Sequence, residues 1–322
     1  LISESFKLPE AISYLKVRGS WAEVASSPSR YLTQMQYTYN EQTNTYEYPA
    51  NHYNTDLKPE NTKSWEFGLN AKFLKNRINF DMTLYRSNTY NQTFYVDASA
   101  SSGYKKNIVQ TGNIQNRGIE LAVGYSDTFN KVKVSTNFTY TINENEIVSL
   151  ANGAINQNTG EVIHMDYYSK GTLGISGGPT LRLYEGGTMG DIYINQRLRQ
   201  SPNGYIWRDP ADGTVAIENT EYRKIGSVLP KYHLGWNGNV AWNGLSLGFA
   251  FTARVGGLVV SDTQAMLDNY GVSETSAIAR QNGGVWIGDS QVDAEDYYKK
   301  VSTAIGTYYT YSACLLYTSD AA

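Results

Sequence analysis

The chain has 322 residues, 27 of them basic and 30 acidic, for a formal net charge of −3. That balance excludes a surface built for nucleic acid, and the single cysteine excludes an internal disulfide or a multi-thiolate metal site. Hydrophobic residues make up 41% and aromatics 13%, led by 27 Tyr: fewer apolar residues than a soluble enzyme of this size buries, and a surplus of rings suited to boundaries between apolar and wet surroundings.

No run approaches the ~18–20 apolar residues of a spanning helix. Leu1-Ile2-Ser3-Glu4 carries neither a basic region nor an apolar signal core, so an export signal would lie upstream.

In chain order, Leu15, Val17, Gly19 and Trp21 alternate with Lys16, Arg18 and Ser20, which predicts a strand over Ser13–Ser26. Ser29–Asp56, rich in Tyr, Asn and Thr, reads as a long loop. Ser64–Leu74 places Trp65, Phe67, Leu69, Ala71 and Phe73 on one face, and Arg77–Tyr90 answers with Ile78, Phe80, Met82 and Leu84 after a short turn at Lys75-Asn76. A polar loop with Ser99–Gly103 leads to a strand near Lys105–Thr111. Asn116–Ser126 and Val132–Ile142 predict a second hairpin. Tyr232–Ala241 and Leu245–Val255 predict a third, across the favoured turn pair Asn243-Gly244. Between the hairpins, Asn143–Pro230 and Gly256–Gly306 read as long excursions rich in Gly, Asn, Asp and Tyr. Strands of ~10 residues, short turns at one end and long excursions at the other predict an all-β, transmembrane antiparallel β-barrel with long extracellular loops. A soluble β-sandwich also alternates, but its strands centre near ~5–6 residues.

Chemistry-bearing constellations are sparse. His52, His164 and His233 have no second His or Cys at ligand spacing, so zinc is unsupported. Asp293, Glu295 and Asp296 could hold a cation or act as acid and base, although a solvated loop explains them more simply. Gly177-Gly178 and Gly186-Gly187 lack the strand-to-helix setting of a phosphate loop. Tyr167, Tyr168, Tyr184, Tyr193, Tyr205 and Trp207 gather in the longest excursion among Asn, Gln, Arg and Asp, where rings could stack on sugars or peptides, or simply pack the loop. These residues form no catalytic set, and no cofactor is expected.

Leu57-Lys58-Pro59-Glu60-Asn61-Thr62-Lys63-Ser64-Trp65-Glu66-Phe67-Gly68-Leu69 resembles a signature of SusC/RagA-type TonB-dependent outer-membrane transporters. Three further stretches resemble that family in the family's order: Leu8-Pro9-Glu10 through Ser20, Thr111-Gly112-Asn113-Ile114-Gln115-Asn116-Arg117-Gly118-Ile119-Glu120-Leu121, and Ile225-Gly226-Ser227-Val228-Leu229-Pro230-Lys231-Tyr232. Physically, Pro59 suits a strand's entrance, Trp65 suits the start of a lipid-facing row, and Gly118 and Gly124 would relieve crowding on the inner face.

The resemblance implies a plugged barrel of about 22 strands, a SusD-like lipoprotein as lid, outer-membrane lipids around the wall, oligosaccharides or peptides as cargo, and energy from TonB–ExbB–ExbD acting on the plug. Residues 1–313 are expected to be a partial, open barrel, the plug and N-terminal region absent. After Ala313 the family would continue into an Arg- and Leu-alternating strand. The sequence reads Cys314-Leu315-Leu316-Tyr317-Thr318-Ser319-Asp320-Ala321-Ala322 instead, which resembles translated adapter read-through. Residues 314–322 are therefore expected to be a non-native tail that disrupts the last strand. Two other classes stay open at this point: a secreted or surface glycan-binding β-protein displaying Tyr-rich loops, and an outer-membrane enzyme with converging Asp, His or Ser at its loop roots.

Overall fold

A computed structural model describes residues 9–29, 32–34, 37–47, 51–52, 57–97, 103–151, 153, 155, 160, 162 and 165–321. Eight long strands build the wall: β1 Ile12–Ser26, β2 Glu60–Phe73, β3 Ile78–Tyr90, β4 Asn113–Phe129, β5 Val132–Ser149, β6 Tyr232–Trp242, β7 Leu245–Val260 and β8 Thr310–Ala321. They pair antiparallel in strict sequence order, with β1 and β8 at opposite ends, so the barrel is open.

The turns at one end are tight. Leu74, Lys75 and Asn76 all take positive φ between β2 and β3, and Asn243 and Gly244 take φ of 46° and 87° between β6 and β7. Two successive left-handed residues match the right-handed twist of the strands they join. Pro59 lies immediately before β2, at the strand's entrance as expected.

Several strands outrun their expected spans. β4 begins at Asn113, β5 continues to Ser149 and β7 to Val260. The added ends of β4 and β5 are largely polar, and that of β7 follows the Gly256-Gly257 pair with a register shift, so regular apolar alternation stops while the hydrogen-bond ladder continues. β8 also corrects an expectation, because its backbone ladder with β7 runs past Cys314 to Ala321 instead of breaking. A ladder is made by the main chain and does not depend on side-chain identity.

The excursions are folded rather than irregular. Ser29–Asp56 contains a small hairpin, Thr38–Asn40 with Thr45–Glu47, and the pair Asn51–His52, which joins Lys106–Gln110 and Thr93–Asp97 in a three-stranded sheet. The β5–β6 excursion holds a four-stranded sheet, Tyr168–Thr172, Thr180–Leu183, Asp191–Leu198 and Ile217–Ser227. The β7–β8 excursion folds into helices α1 Asp262–Asn269, α2 Glu274–Gln281, α3 Ala294–Val301 and α4 Ile305–Tyr308.

The apolar cores sit at this end of the strands. One joins Phe94, Val109, Ile147, Leu150, Met165 and Leu183. The other takes Leu198 and Val215 from the first excursion and Ala265, Val292, Val301, Ile305 and Tyr309 from the second, welding the two into one cap. Hydrogen bonds support the weld: the Gly306 N–H donates to the Gly177 carbonyl at 2.8 Å, and the Val215 N–H to the Asp296 carboxylate at 2.9 Å.

Candidate functional site

The register separates the wall into two surfaces. Directly opposed residues share a face, so Val17, Leu69, Met82, Leu121, Tyr140 and Leu234 form one row, and Leu15, Ala71, Phe80, Val123, Phe138, Trp236 and Phe251 the next. Many of these large apolar groups are exposed, including Trp65 at 64%, Phe67 at 50%, Trp236 at 50% and Leu247 at 72%. A water-soluble sandwich would bury them.

The apolar band also steps toward the tight turns along the sheet. On β1 and β2 it tops out at Trp21 and Trp65. The residues in register with them on β3, β4 and β5 are Arg86, Arg117 and Glu144, and on β6 and β7 the band descends to Trp242 and Leu245. Such a stagger follows from strands that tilt relative to a barrel axis.

The opposite face is polar. Arg18 of β1 reaches across Gly68 to clasp Asp81 of β3 at 2.8 and 3.1 Å, and Asn70 donates to the same carboxylate at 2.7 Å. Tyr85 lies over Gly118 and donates to Asn143 at 3.0 Å, so Gly118 relieves crowding on the inner face as expected. Gly124 faces Asn137 with more room. His233 stands in this polar row between Thr141 and Arg254.

Above the wall, the four-stranded sheet of the first excursion sorts the loop aromatics. Tyr168, opposite Leu183, turns inward and meets Phe94 edge-on at 5.2 Å. The other face carries a ladder: Tyr167 to Tyr184 at 5.5 Å and Tyr184 to Tyr193 at 5.1 Å. Arg182 lies between two rings, 4.3 Å from the Tyr167 centroid and 3.2 Å from that of Tyr222. Lys224, opposite Tyr193, donates to the buried Asp191 at 2.5 Å, and Asp191 also accepts from the Thr188 hydroxyl at 2.6 Å. Burial first, then the Asp191 charge, raises the Tyr193 hydroxyl above its ordinary range, so it stays a neutral donor.

Tyr205 and Trp207 stand apart from this ladder. Tyr205 is 72% exposed, and Trp207 pairs with Arg199 at 4.3 Å. Sequence reading missed Arg182, Tyr222 and Lys224. The alternation Leu181-Arg182-Leu183-Tyr184, with apolar residues at the odd positions, is the signal that could have found Arg182. The assembled face offers flat rings for stacking and cationic and hydroxyl donors for polar ligand groups.

The remaining candidates resolve into structure. Asp293 caps α3, accepting from Glu295 N at 2.9 Å and Asp296 N at 3.0 Å, while Glu295 pairs with Lys299. Asp268 of α1 is buried and accepts from Gln264, Thr275 and Tyr309. Burial, and then that bond, push the Tyr309 hydroxyl far above its ordinary range. His52 packs edge-on against Tyr104 at 4.6 Å, and His164 lies outside the described residues. Among the described residues no group of three or more His, Cys, Asp or Glu could hold a metal ion.

A lipid-facing outer surface, a polar inner surface and a folded cap define a section of an outer-membrane type of β-barrel. The family description "TonB dependent receptor-like, beta-barrel" matches residues 6–247, and the chain belongs to that family. It is a barrel-wall section of an outer-membrane protein.

Two proteins of Formosa agariphila, TonB-dependent receptor P3 and TonB-dependent receptor P39, are 23% and 22% identical to it, covering 69% and 74% of this chain and 23% and 26% of their own lengths. The chain thus spans about a quarter of these relatives. The structure of the RagAB peptide importer in the closed-closed state superposes with a TM-score of 0.71 at 19% identity, and that of the RagAB peptide transporter with 0.69 at 20%. Both superpositions cover 98% of this chain and 35% of the other. At such identities the likeness establishes the fold.

Proposed function

We propose that this chain forms part of the barrel of a TonB-dependent importer that takes up oligosaccharides or peptides together with a SusD-like surface lipoprotein. TonB–ExbB–ExbD supplies the energy through a plug elsewhere in the protein. The observation that carries the cargo reading is the ladder Tyr167–Tyr184–Tyr193 with Arg182 and Lys224 beside it, displayed on the cap at the loop end of the strands. Stacking rings beside fixed donors recognise ring-shaped or planar polar groups, which sugars and peptide bonds both supply. The shared fold with a peptide importer supports the peptide arm. The same reading treats residues 1–313 as the native barrel portion and 314–322 as foreign to it, which resequencing the gene beyond the Ala313 codon would test.

The functional test uses the full-length transporter. Replacing Tyr184 and Tyr193 together by Ala should reduce uptake of the cognate cargo at least about tenfold, as losing two stacking contacts of ~1 kcal/mol each implies, while barrel assembly is kept. Uptake of labelled peptide and oligosaccharide libraries identifies the arm, and co-purification of the product of the neighbouring reading frame tests the lipoprotein. Undiminished uptake by the double variant would remove the ladder from cargo recognition.

A further inference from the structure

A trough of about 630 Å³ is cut into the lipid-facing side of the wall where β1, β2 and β3 meet. Its side-chain lining comes from two successive outward rows: Trp21, Trp65 and Arg86 in the upper row and Gly19, Phe67 and Leu84 in the lower. Ser20, Glu66 and Tyr85, which lie between those rows, belong to the opposite face and contribute main chain. The Trp21 and Trp65 rings stand 6.2 Å apart and tilted at the upper edge. Gly19 keeps the floor open, since a Cβ there would meet nothing within 4 Å.

We propose that this trough binds one phosphorylated acyl lipid of the outer leaflet, with an acyl chain along Gly19, Phe67 and Leu84 and the phosphate on Arg86. The charge pattern selects this occupant. Arg117, next in the same cross-strand row, is paired with Glu144 at 2.7 Å, and Lys63 above has Glu23 at 3.7 Å. Among the described residues no carboxylate pairs with Arg86. Among them its guanidinium donates only to the Gln115 amide oxygen, at 2.7 and 3.3 Å with that amide turned oxygen-inward. A guanidinium has five N–H donors in a planar fork that fits phosphate in a bidentate manner, so Arg86 keeps donors for an anion.

The height of the site agrees. Trp21 and Trp65 mark the level where amphipathic rings meet the headgroups, and the trough opens at the end of the strands that carries the cap, which is the outer side. An uncompensated cation at headgroup level above an apolar slot complements a molecule with an anionic head and an apolar tail. This inference rests on the outer-membrane assignment and is independent of the cargo.

The test uses the full-length transporter in mild detergent, with lipid A, chemically dephosphorylated lipid A and inorganic phosphate as probes. Binding is read by native mass spectrometry and by the shift in unfolding temperature. Lipid A should bind as a single retained molecule and raise the unfolding temperature. Arg86→Gln should bind it about tenfold more weakly, the ratio expected for one lost charge-assisted hydrogen bond. Gly19→Leu, which fills the floor, should weaken it comparably with Arg86 intact. If Gly19→Leu fails to assemble, as judged by heat-modifiable gel migration, Arg86→Gln still decides. Equal binding by wild type and Arg86→Gln, or equal binding of dephosphorylated lipid A, would reduce the trough to ordinary lipid annulus. A shift reproduced by inorganic phosphate alone would make it an anion site without a lipid.

Discussion

Leu69 and Asn70 are neighbours in sequence, yet one faces lipid beside Met82 and the other faces the polar interior beside Asp81. Arg placed at Leu69 should destabilise the intact barrel by about 2–4 kcal/mol, the cost of a cation near the bilayer midplane. Arg at Asn70 should cost far less, because the Asp81 carboxylate is adjacent. Urea unfolding of the full transporter in lipid vesicles measures both, and equal losses would invert the face assignment. A similar contrast holds between glycines. A Cβ at Gly118 would lie 2.2 Å from the Ile142 carbonyl oxygen and 2.5 Å from the Tyr85 hydroxyl, whereas one at Gly19 meets open space. Gly118→Ala should therefore lose about 1–3 kcal/mol, as overpacked sites do. Gly19→Ala should stay within about 0.5 kcal/mol on the same measurement.

At the scale of elements, the hairpins of the wall were legible because each is a local statement. Alternation, a turn pair such as Asn243-Gly244 and a second alternating run lie within two dozen residues. The cap was not legible. Its second core joins Leu198 and Val215 to Val301 and Tyr309, contacts between residues about a hundred positions apart. Its helices α1, α2 and α3 are only eight residues each, too short for a 3.6-residue period to declare itself. The cap of α3 was visible but read differently, since Asp293, Glu295 and Asp296 looked like a solvated acidic loop and are the N-cap and first turn of that helix. The candidate ladder was half legible: the tyrosines stood out by composition, while their partner Arg182 needed the strand register to be seen. Removing a cap tests whether these short helices depend on it. Ser273 heads α2 and accepts from Ser276 N at 3.0 Å, so Ser273→Ala should cost about 0.5–2 kcal/mol locally. Limited proteolysis between Tyr270 and Gly284 should become faster while the barrel remains intact, and an unchanged cleavage rate would show that packing alone holds the helix.

For the molecule as a whole, the open ends matter most. β1 and β8 each present an unpaired edge, and unpaired edges beside exposed apolar rows invite pairing with other chains. Expressed by itself, this chain should aggregate or demand detergent; a monodisperse monomer in plain buffer, shown by light scattering, would contradict the membrane-facing assignment of the rows. The strict neighbour-to-neighbour order of the wall explains why family motifs scattered along the sequence could be read as one architecture, since each motif marks one strand of a ladder whose order is the order of the chain.

The attachment of the cap carries a consequence for the history of the gene. β5 pairs with β6 only up to Thr141 and His233, so the segment between Ser149 and Tyr232 leaves and re-enters the wall between two neighbouring strands. A recombination breakpoint on either side of that segment would exchange the ring-bearing sheet as a cassette and leave the lipid-facing rows untouched. The two cores set conditions, because Leu198 and Val215 would lose Val301 and Ile305 unless the helical insert travelled with them, and Leu183 would need a matching surface at Phe94 and Val109. Relatives should therefore show mosaic descent, with the two inserts inherited together and the wall following a different genealogy.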